Sequence, residues 1–198
     1  MSLSIQAFNS LAVFSGELLS NAGSIGAALP SSKALARRIA AQLPPRPEGY
    51  VVELGAGTGA VTEALLEHGL SPERLVPVEI SDNMVRHLRQ RFPGLNVLGG
   101  DAAKLDALLA QHLPGARGHV SHIVSSLPLR SLPLPVVVRI IREVKRLLAP
   151  DGTFIQYTYN LTCRGYRPLE DFQRRATSVV WRNLPPARVD VFRPFPAL

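Results

Sequence analysis

Three acidic residues stand at the ends of successive apolar runs, namely Glu53, Glu79 and Asp101. An ionised carboxylate only accepts hydrogen bonds, so acids in such places suit a ligand that carries several donors. A carboxylate at the tip of a second strand, as at Glu79, can accept bonds from both hydroxyls of a ribose. Asp101 could likewise accept from the exocyclic amine of an adenine. The spacing therefore indicates a ligand with several hydrogen-bond donors, although each acid taken alone could cap a helix.

A glycine-rich turn follows the first of these acids. Gly55, Gly57 and Gly59 stand at alternate positions ahead of an expected helix, with Ala56 and Thr58 between them. Glycine lets the backbone turn tightly and approach a ligand with no side chain intervening. The spacing is not the G-x-G-x-x-G of a nicotinamide-binding turn, and the G-K-[ST] of a P-loop is missing. The turn is either part of a different cofactor site or simply a tight connection between strand and helix.

The elements that must position these residues alternate along the chain as expected of βαβ units and a parallel sheet. We predict strands over Tyr50–Leu54, Leu75–Glu79, Asn96–Leu98, Val120–Ser125 and Thr153–Tyr159. Helices are expected over Ala60–His68, Asp82–Phe92, Ala102–Leu113, Pro135–Leu148 and Pro168–Ala176. Near the C-terminus, Ser178–Asn183 and Arg188–Arg193 flank two prolines and are predicted to form an antiparallel hairpin.

The first 45 residues carry two expected helices, ahead of a main domain at residues 46–198. Residues 3–20 place a broad apolar arc on one side of a helix, and the opposite face has no Lys or Arg. This helix would dock either on a lipid surface or on the domain. A second helix spans Ser32–Gln42. The residues expected to contact a membrane are Phe8, Leu11, Phe14, Leu18, Lys33 and Arg37.

Composition and charge limit the classes of function. With 198 residues, 46% of them hydrophobic and 19% charged, the chain is expected to fold as one globular unit. A net charge of +7 favours an anionic partner, which could be nucleic acid, an acidic membrane surface or a phosphate-bearing substrate. The single cysteine, Cys163, permits no internal disulfide, and no zinc-ligand spacing is present. We therefore expect an intracellular protein that neither is secreted nor spans a membrane.

The glycine turn together with the three acids resembles the S-adenosylmethionine site of class I methyltransferases. The resemblance covers about residues 50–193 and includes the stretch Leu147–Phe154 ahead of the fifth strand. It implies a Rossmann-like α/β fold with a mostly parallel seven-stranded sheet, S-adenosylmethionine as cofactor and S-adenosylhomocysteine as product. It also implies that Glu53 serves the methionine amino group. The expected cofactor-binding residues are Glu53, Gly55, Ala56, Gly57, Gly59, Glu79, Ile80, Asp101, Ala102 and Ser125.

A narrower resemblance rests on the stretches 23–36, 125–129, 156–159 and 180–187. There the sequence is similar to the soluble bacterial phospholipid N-methyltransferases, which are related to ribosomal RNA adenine dimethylases. That family converts phosphatidylethanolamine stepwise to phosphatidylcholine. The resemblance implies a peripheral protein on the cytoplasmic face of the inner membrane, with a phospholipid substrate, an anionic membrane surface and no DNA as partners. Its oligomeric state is left open.

The candidate substrate residues cluster after the fourth and fifth strands. Tyr157 and Tyr159 could face a methylated ammonium group with their π-electrons, or they could be core residues on one face of the strand. The other expected catalytic residue is Ser126. Substrate contacts are expected from Leu127, Pro128, Arg164 and Arg167, the two arginines binding a phosphodiester or remaining solvated.

Two other functions are kept as alternatives. An RNA adenine N-methyltransferase fits the charge and the fold, but such enzymes stack the base on an aromatic residue where this chain has Leu129. A protein that binds S-adenosylmethionine without catalysis is the third reading, because methyl transfer needs no diagnostic nucleophile. Trp181 is expected to cover the sheet or a pocket rim.

Overall fold

The computed structural model describes residues 32–162 and 166–195. The helices are α1 (Lys33–Ala40), α2 (Ala60–Glu67), α3 (Asp82–Arg91), α4 (Leu105–His112) and α5 (Leu134–Leu147). The strands are β1 (Tyr50–Leu54), β2 (Leu75–Glu79), β3 (Leu98–Gly99), β4 (Val120–Ser125), β5 (Leu148–Thr158), β6 (Phe172–Val180) and β7 (Ala187–Pro194). Short 3-10 turns cover Pro72–Arg74, Ala102–Lys104, Pro114–Ala116 and Arg167–Leu169. The expected helix over residues 3–20, with Phe8, Leu11, Phe14 and Leu18, lies outside the described residues, as does Arg164.

All seven strands form one sheet in the order β3-β2-β1-β4-β5-β7-β6. Strands β1 to β5 are mutually parallel, and β7 is antiparallel to both β5 and β6. This arrangement confirms the mostly parallel seven-stranded sheet with a C-terminal antiparallel hairpin. Because β1 to β5 run in the same direction, their carboxyl ends all lie at one edge of the sheet, which is called the site edge below.

Helices cover both faces of the sheet, so its central strands are buried on both sides. Helices α4 and α5 pack on one face, where Val137, Ile140 and Phe154 belong to one cluster of buried residues. Helices α1 and α2 pack on the other face, where Leu35 and Ile39 are fully buried. Burial of an aliphatic side chain of this size stabilises a fold by roughly 1.5–3 kcal/mol. Helix α1 is therefore part of the core, although it precedes the sheet in the chain.

Several sequence-based boundaries need correction. The fifth strand begins at Leu148 and not at Thr153, and the first hairpin strand is Phe172–Val180 and not Ser178–Asn183. The third strand is Leu98–Gly99 and not Asn96–Leu98. The fourth helix begins with a 3-10 turn at Ala102–Lys104. The helix expected over Pro168–Ala176 is wrong, because only Arg167–Leu169 is helical and β6 begins at Phe172. Strand β6 pairs with β7 alone, so it is an edge strand whose many exposed polar residues hide the two-residue alternation.

Within residues 32–162 and 166–195, no helix is long and apolar enough to cross a membrane. Helix α5 instead buries one face against the sheet. Pro135 stands in its first turn, and its buried side chains recur on one face until the helix ends at Leu147.

Candidate cofactor and substrate site

The sheet reverses its direction of winding between β1 and β4. Leu54, the last residue of β1, pairs with Val78 of β2 on one side and with Ser125 of β4 on the other. The chain leaves β1 toward β2 and leaves β4 toward β5, so the two connections diverge at the site edge. In open α/β sheets, ligands bind in the crevice that such a reversal leaves beyond the strand ends. The backbone N–H of Ser126 donates to Leu54 O at 2.9 Å and joins the two sides of this crevice.

Gly57 and Gly59 have different tasks in the turn after β1. Gly59 has φ +83°, and a Cβ there would lie 2.5 Å from Cε2 of Phe92, so this glycine allows close packing between α2 and α3. Gly57 has φ +54°, and a Cβ there would meet no atom within 4 Å. The open space beside Gly57 is where a ligand can approach the backbone.

Glu79 links the glycine turn to the end of β2. Its buried carboxylate accepts the N–H of Gly57 at 2.9 Å through Oε2. Through Oε1 it accepts the N–H groups of Ile80 and Ser81 at 2.9 and 3.0 Å. A carboxylate can accept about four hydrogen bonds, so Glu79 both holds the turn and keeps room for a further donor. The ribose contact remains a prediction.

Glu53 is completely buried, with 0% of its surface exposed. Its Oε2 accepts a 2.6 Å hydrogen bond from Oγ1 of Thr62, whereas Oε1 has no partner. Burial raises the pKa of Glu53 to about 8; the Thr62 hydrogen bond opposes this rise and the nearby charge of Glu79 adds to it. A buried carboxylate oxygen without a donor fits a ligand with a hydrogen-bonding or cationic amino group. Sequence reasoning missed Thr62, which gives no signal beyond lying on a buried helix face.

Asp101 caps the 3-10 turn that follows β3. Its Oδ1 accepts the N–H of Ala103 at 2.8 Å, and the side chain is half-buried. The capping role that the sequence left open is therefore real. Ala102 is buried, and Ile80 at the end of β2 packs against the same cluster of buried residues. The adenine contacts expected of Asp101, Ala102 and Ile80 stay predictions.

Unpaired hydrogen-bond acceptors collect at the crevice. Five buried side-chain polar atoms in the described residues lack a partner, and three of them belong to Glu53, Ser126 and Gln156. Ser126 and Gln156 both adjoin Leu127, because Nε2 of Gln156 donates to Leu127 O at 3.0 Å. Ser125 is buried, and its Oγ accepts the Leu127 N–H at 3.3 Å. Gln156 was not among the predicted site residues, although it begins the stretch 156–159 that carries the family resemblance and directly follows the buried Phe154 and Ile155.

Tyr157 and Tyr159 lie together on the face of the sheet that carries α1 and α2. Their ring centroids are 5.9 Å apart, with the planes at 82° to each other. Burial raises the pKa of the Tyr159 phenol, and the nearby Asn183 side chain opposes this rise. The two rings therefore form a corner of neutral aromatic surface at the end of β5, as the two-residue spacing predicts.

The structure does not bring Arg167 to these tyrosines. Its side chain is 92% exposed and pairs with Glu170 at 3.6 Å. The neighbouring Tyr166 donates its hydroxyl to Leu129 O at 2.7 Å, on the opposite face of the sheet from Tyr157. The predicted phosphodiester contact by Arg167 thus has no support from this geometry.

The other expected surface residues are exposed. Lys33 and Arg37 lie on α1, where Nε of Arg37 is 3.7 Å from Oε2 of Glu67. Pro128 is exposed after β4. Trp181 does not cover the sheet, because 72% of its surface is exposed.

Comparison with known proteins agrees with this geometry. Residues 51–152 match the family described as methyltransferase domain. Over 183 residues the chain is 34% identical to the ornithine lipid N-methyltransferase of Singulisphaera acidiphila, which covers 88% of this chain and 91% of that protein. A shorter match, 43% identical over 63 residues, is to the ribosomal RNA small subunit methyltransferase A of Salinibacter ruber; it covers 32% of this chain and only 20% of that protein.

Solved structures show the same fold. The 1,6-didemethyltoxoflavin-N1-methyltransferase of Burkholderia thailandensis, with bound S-adenosylhomocysteine, superposes with a TM-score of 0.70 at 18% identity and covers 95% of this chain and 90% of that chain. A TehB-like methyltransferase of Corynebacterium glutamicum gives 0.61 at 16% identity, covering 94% and 100%. The fold is that of class I methyltransferases, which use S-adenosylmethionine. The chain belongs to the methyltransferase domain family, and its cofactor is S-adenosylmethionine.

We expect Glu79→Ala to weaken binding of S-adenosylhomocysteine by about 10- to 100-fold, because hydrogen bonds to a charged group contribute roughly 1.5–3 kcal/mol. Calorimetric titration measures the affinity, and circular dichroism checks that the variant folds. Glu73→Ala is the control, since the exposed Glu73 lies outside the site on the turn before β2. An unchanged affinity in a folded Glu79→Ala protein would remove Glu79 from the site.

A second prediction concerns pH. The pKa of Glu53 lies near 4.5 in the unfolded chain and rises to about 8 in the fold. Between these values the folded state keeps a proton that the unfolded state has released, so stability falls as the pH rises. Glu53→Gln removes this titration. In thermal unfolding without ligand, we compare the free energy of unfolding of the variant with that of the wild type. We expect this difference to shift in favour of the variant by at least about 1 kcal/mol between about pH 5 and 9, or about 2–4 °C in melting temperature. Parallel curves from about pH 5 to 9 would contradict the burial argument.

Proposed function

We propose that the chain transfers methyl groups from S-adenosylmethionine to the headgroup amine of a phospholipid, converting phosphatidylethanolamine stepwise toward phosphatidylcholine at a membrane surface. The observation that carries this proposal is the similarity to an ornithine lipid N-methyltransferase along nearly the full length of both chains. The narrower choice of phosphatidylethanolamine rests on the resemblance of the four stretches identified in the sequence.

The residues at the crevice fit the cofactor. The unpaired Oε1 of Glu53 suits its amino group, and the open space at Gly57 suits a close approach to the backbone. Glu79 and Asp101 would hold its ribose and adenine. When bound, S-adenosylmethionine supplies an electrophilic methyl group on a sulfonium.

The protein's main task in such a displacement is to position a neutral amine. A primary amine has a pKa near ~10.4, like that of lysine, and partial burial favours its neutral form. A neutral primary amine has two N–H donors and one lone pair. Acceptors that bind the N–H groups therefore direct the lone pair away from themselves. The unpaired atoms Oγ of Ser126 and Oε1 of Gln156 are suited to this role on the two sides of Leu127.

Each methyl transfer to the neutral amine leaves an ammonium cation, and the third transfer makes the charge permanent. The aromatic corner of Tyr157 and Tyr159 can attract this cation, an effect of roughly 0.5–2 kcal/mol. Because burial raises the pKa of the Tyr159 phenol, its ring stays uncharged near neutral pH.

RNA adenine methylation is the second candidate, supported by the net charge of +7 and the short similarity to a ribosomal RNA methyltransferase. The tip after β4 argues against it. Leu129 stands where base-methylating relatives of this fold are expected to carry an aromatic ring, and it is only 3% exposed. A flipped base would find no stacking platform at this position.

The proposal is tested by incubating the protein with methyl-labelled S-adenosylmethionine and either vesicles of phosphatidylethanolamine and phosphatidylglycerol or total ribosomal RNA. We expect label in the lipid amine and none in RNA. Tyr159→Phe keeps the ring and should retain most activity. Tyr159→Leu loses the ring and should slow transfer to dimethylated lipid by about fivefold or more, from a cation–π contribution of ~1 kcal/mol. Label in RNA alone, or in neither substrate, would overturn the proposal.

A further inference from the structure

The turn between β6 and β7, residues 181–186, lies at the site edge. Thr158 at the end of β5 pairs with Arg188, and Val180 at the end of β6 pairs with Ala187. This register places the turn at the site edge beside the end of β5, where Tyr157 and Tyr159 lie. The opposite end of the hairpin, where Phe172 pairs with Pro194, lies at the far edge of the sheet.

This turn exposes the two most solvent-accessible large apolar side chains of the described residues. Trp181 is 72% and Leu184 is 81% exposed. Tyr159 and Leu161, which follow β5 at the same edge, are also partly exposed. Apolar side chains gathered at one edge mark an interaction surface more often than scattered ones do.

The turn is held rigidly, so its exposure does not come from a loose loop. Asn183 is buried, and its Nδ2 donates to Pro185 O at 2.7 Å. Its Oδ1 accepts the N–H of Ser32 at 3.2 Å. One buried amide thus ties the turn to the start of α1.

The chemistry of the turn fits an anionic lipid surface. Arg182 stands between the two apolar residues, Lys33 follows Ser32 at the base of the turn, and residues 181–186 contain no acid. Tryptophan favours the headgroup boundary of a bilayer, since its ring is apolar and its N–H is polar. Basic residues beside it add attraction to anionic lipids.

We propose that residues 181–186 dock on an anionic bilayer by inserting Trp181 and Leu184 at the headgroup boundary, so that the crevice opens toward lipid amines. This inference rests on the proposed function and names the surface that presents the site to its substrate. It differs from the expected contact through residues 3–20, because it needs only the rigid hairpin.

The chain contains a single tryptophan, so tryptophan fluorescence reports on Trp181 alone. The full-length protein is mixed with vesicles of equal parts phosphatidylglycerol and phosphatidylcholine, which carry no primary amine. We expect the Trp181 emission to shift to shorter wavelength and to be quenched by lipids brominated on their acyl chains. Emission that stays unchanged while the protein sediments with vesicles would overturn the proposal.

Variants test the same surface without the probe. Trp181→Ser with Leu184→Ser should weaken vesicle binding at least about tenfold, because two large apolar side chains lose their burial. Phe195→Ser is the matched control, since Phe195 is half-exposed at the far edge of the sheet; binding should stay within about twofold of wild type. Both variants should bind S-adenosylhomocysteine as the wild type does. Equal vesicle binding by all three proteins would place the membrane contact elsewhere.

The remaining outcomes separate this inference from the proposed function. If Trp181 already emits at short wavelength and resists iodide before vesicles are added, another segment of the chain or a second copy covers the turn and the inference fails. If lipid amine in detergent micelles is methylated while the Trp181 emission does not change with vesicles, the proposed function stands and the inference fails. If Trp181 inserts but no lipid is methylated, the inference stands and the function fails.

Discussion

The reversal of winding between β1 and β4 is the constraint on which the rest of the site depends. The chain leaves β1 toward β2 on one side and leaves β4 toward β5 on the other, so the two connections diverge at the site edge. The groups of the candidate site all lie at that edge: the open backbone at Gly57, the carboxylate of Glu79 that holds the turn, and the unpaired acceptors on either side. A fully buried carboxylate such as Glu53 is unfavourable in a fold unless it is neutralised or meets a partner. Its place beside the crevice therefore makes sense for a protein that binds a cofactor with an amino group.

The parallel part of the fold could be predicted from the sequence because strands buried on both faces give continuous apolar runs that end in recognisable turns. The acids and the glycine turn were found for the same reason, since each directly follows such a run. The first part of β6 was mistaken for a helix because an edge strand with exposed polar residues shows little alternation. Thr62 and Gln156 were missed because their partners, Glu53 and Leu127, come from other elements of the chain, and those contacts exist only once the sheet has its register.

The substrate side of the site carries two features that destabilise an isolated protein, namely unpaired buried acceptors such as Oγ of Ser126 and exposed apolar groups such as Trp181. Under the two proposals, both would become favourable when the partner is present, an amine in one case and a lipid surface in the other. Asn183 fixes the turn that carries Trp181, and its side chain lies near the Tyr159 phenol. One hairpin would then serve the amine and the membrane together.

A crystal structure of the protein with S-adenosylhomocysteine is the most direct test of the central claim, that the buried acid at the reversal point serves the cofactor. The account predicts that the ligand lies across the ends of β1 and β4, with its amino group donating to Oε1 of Glu53 and its ribose against Glu79. A ligand bound outside this crevice, or one that leaves Oε1 of Glu53 without a partner, would contradict it.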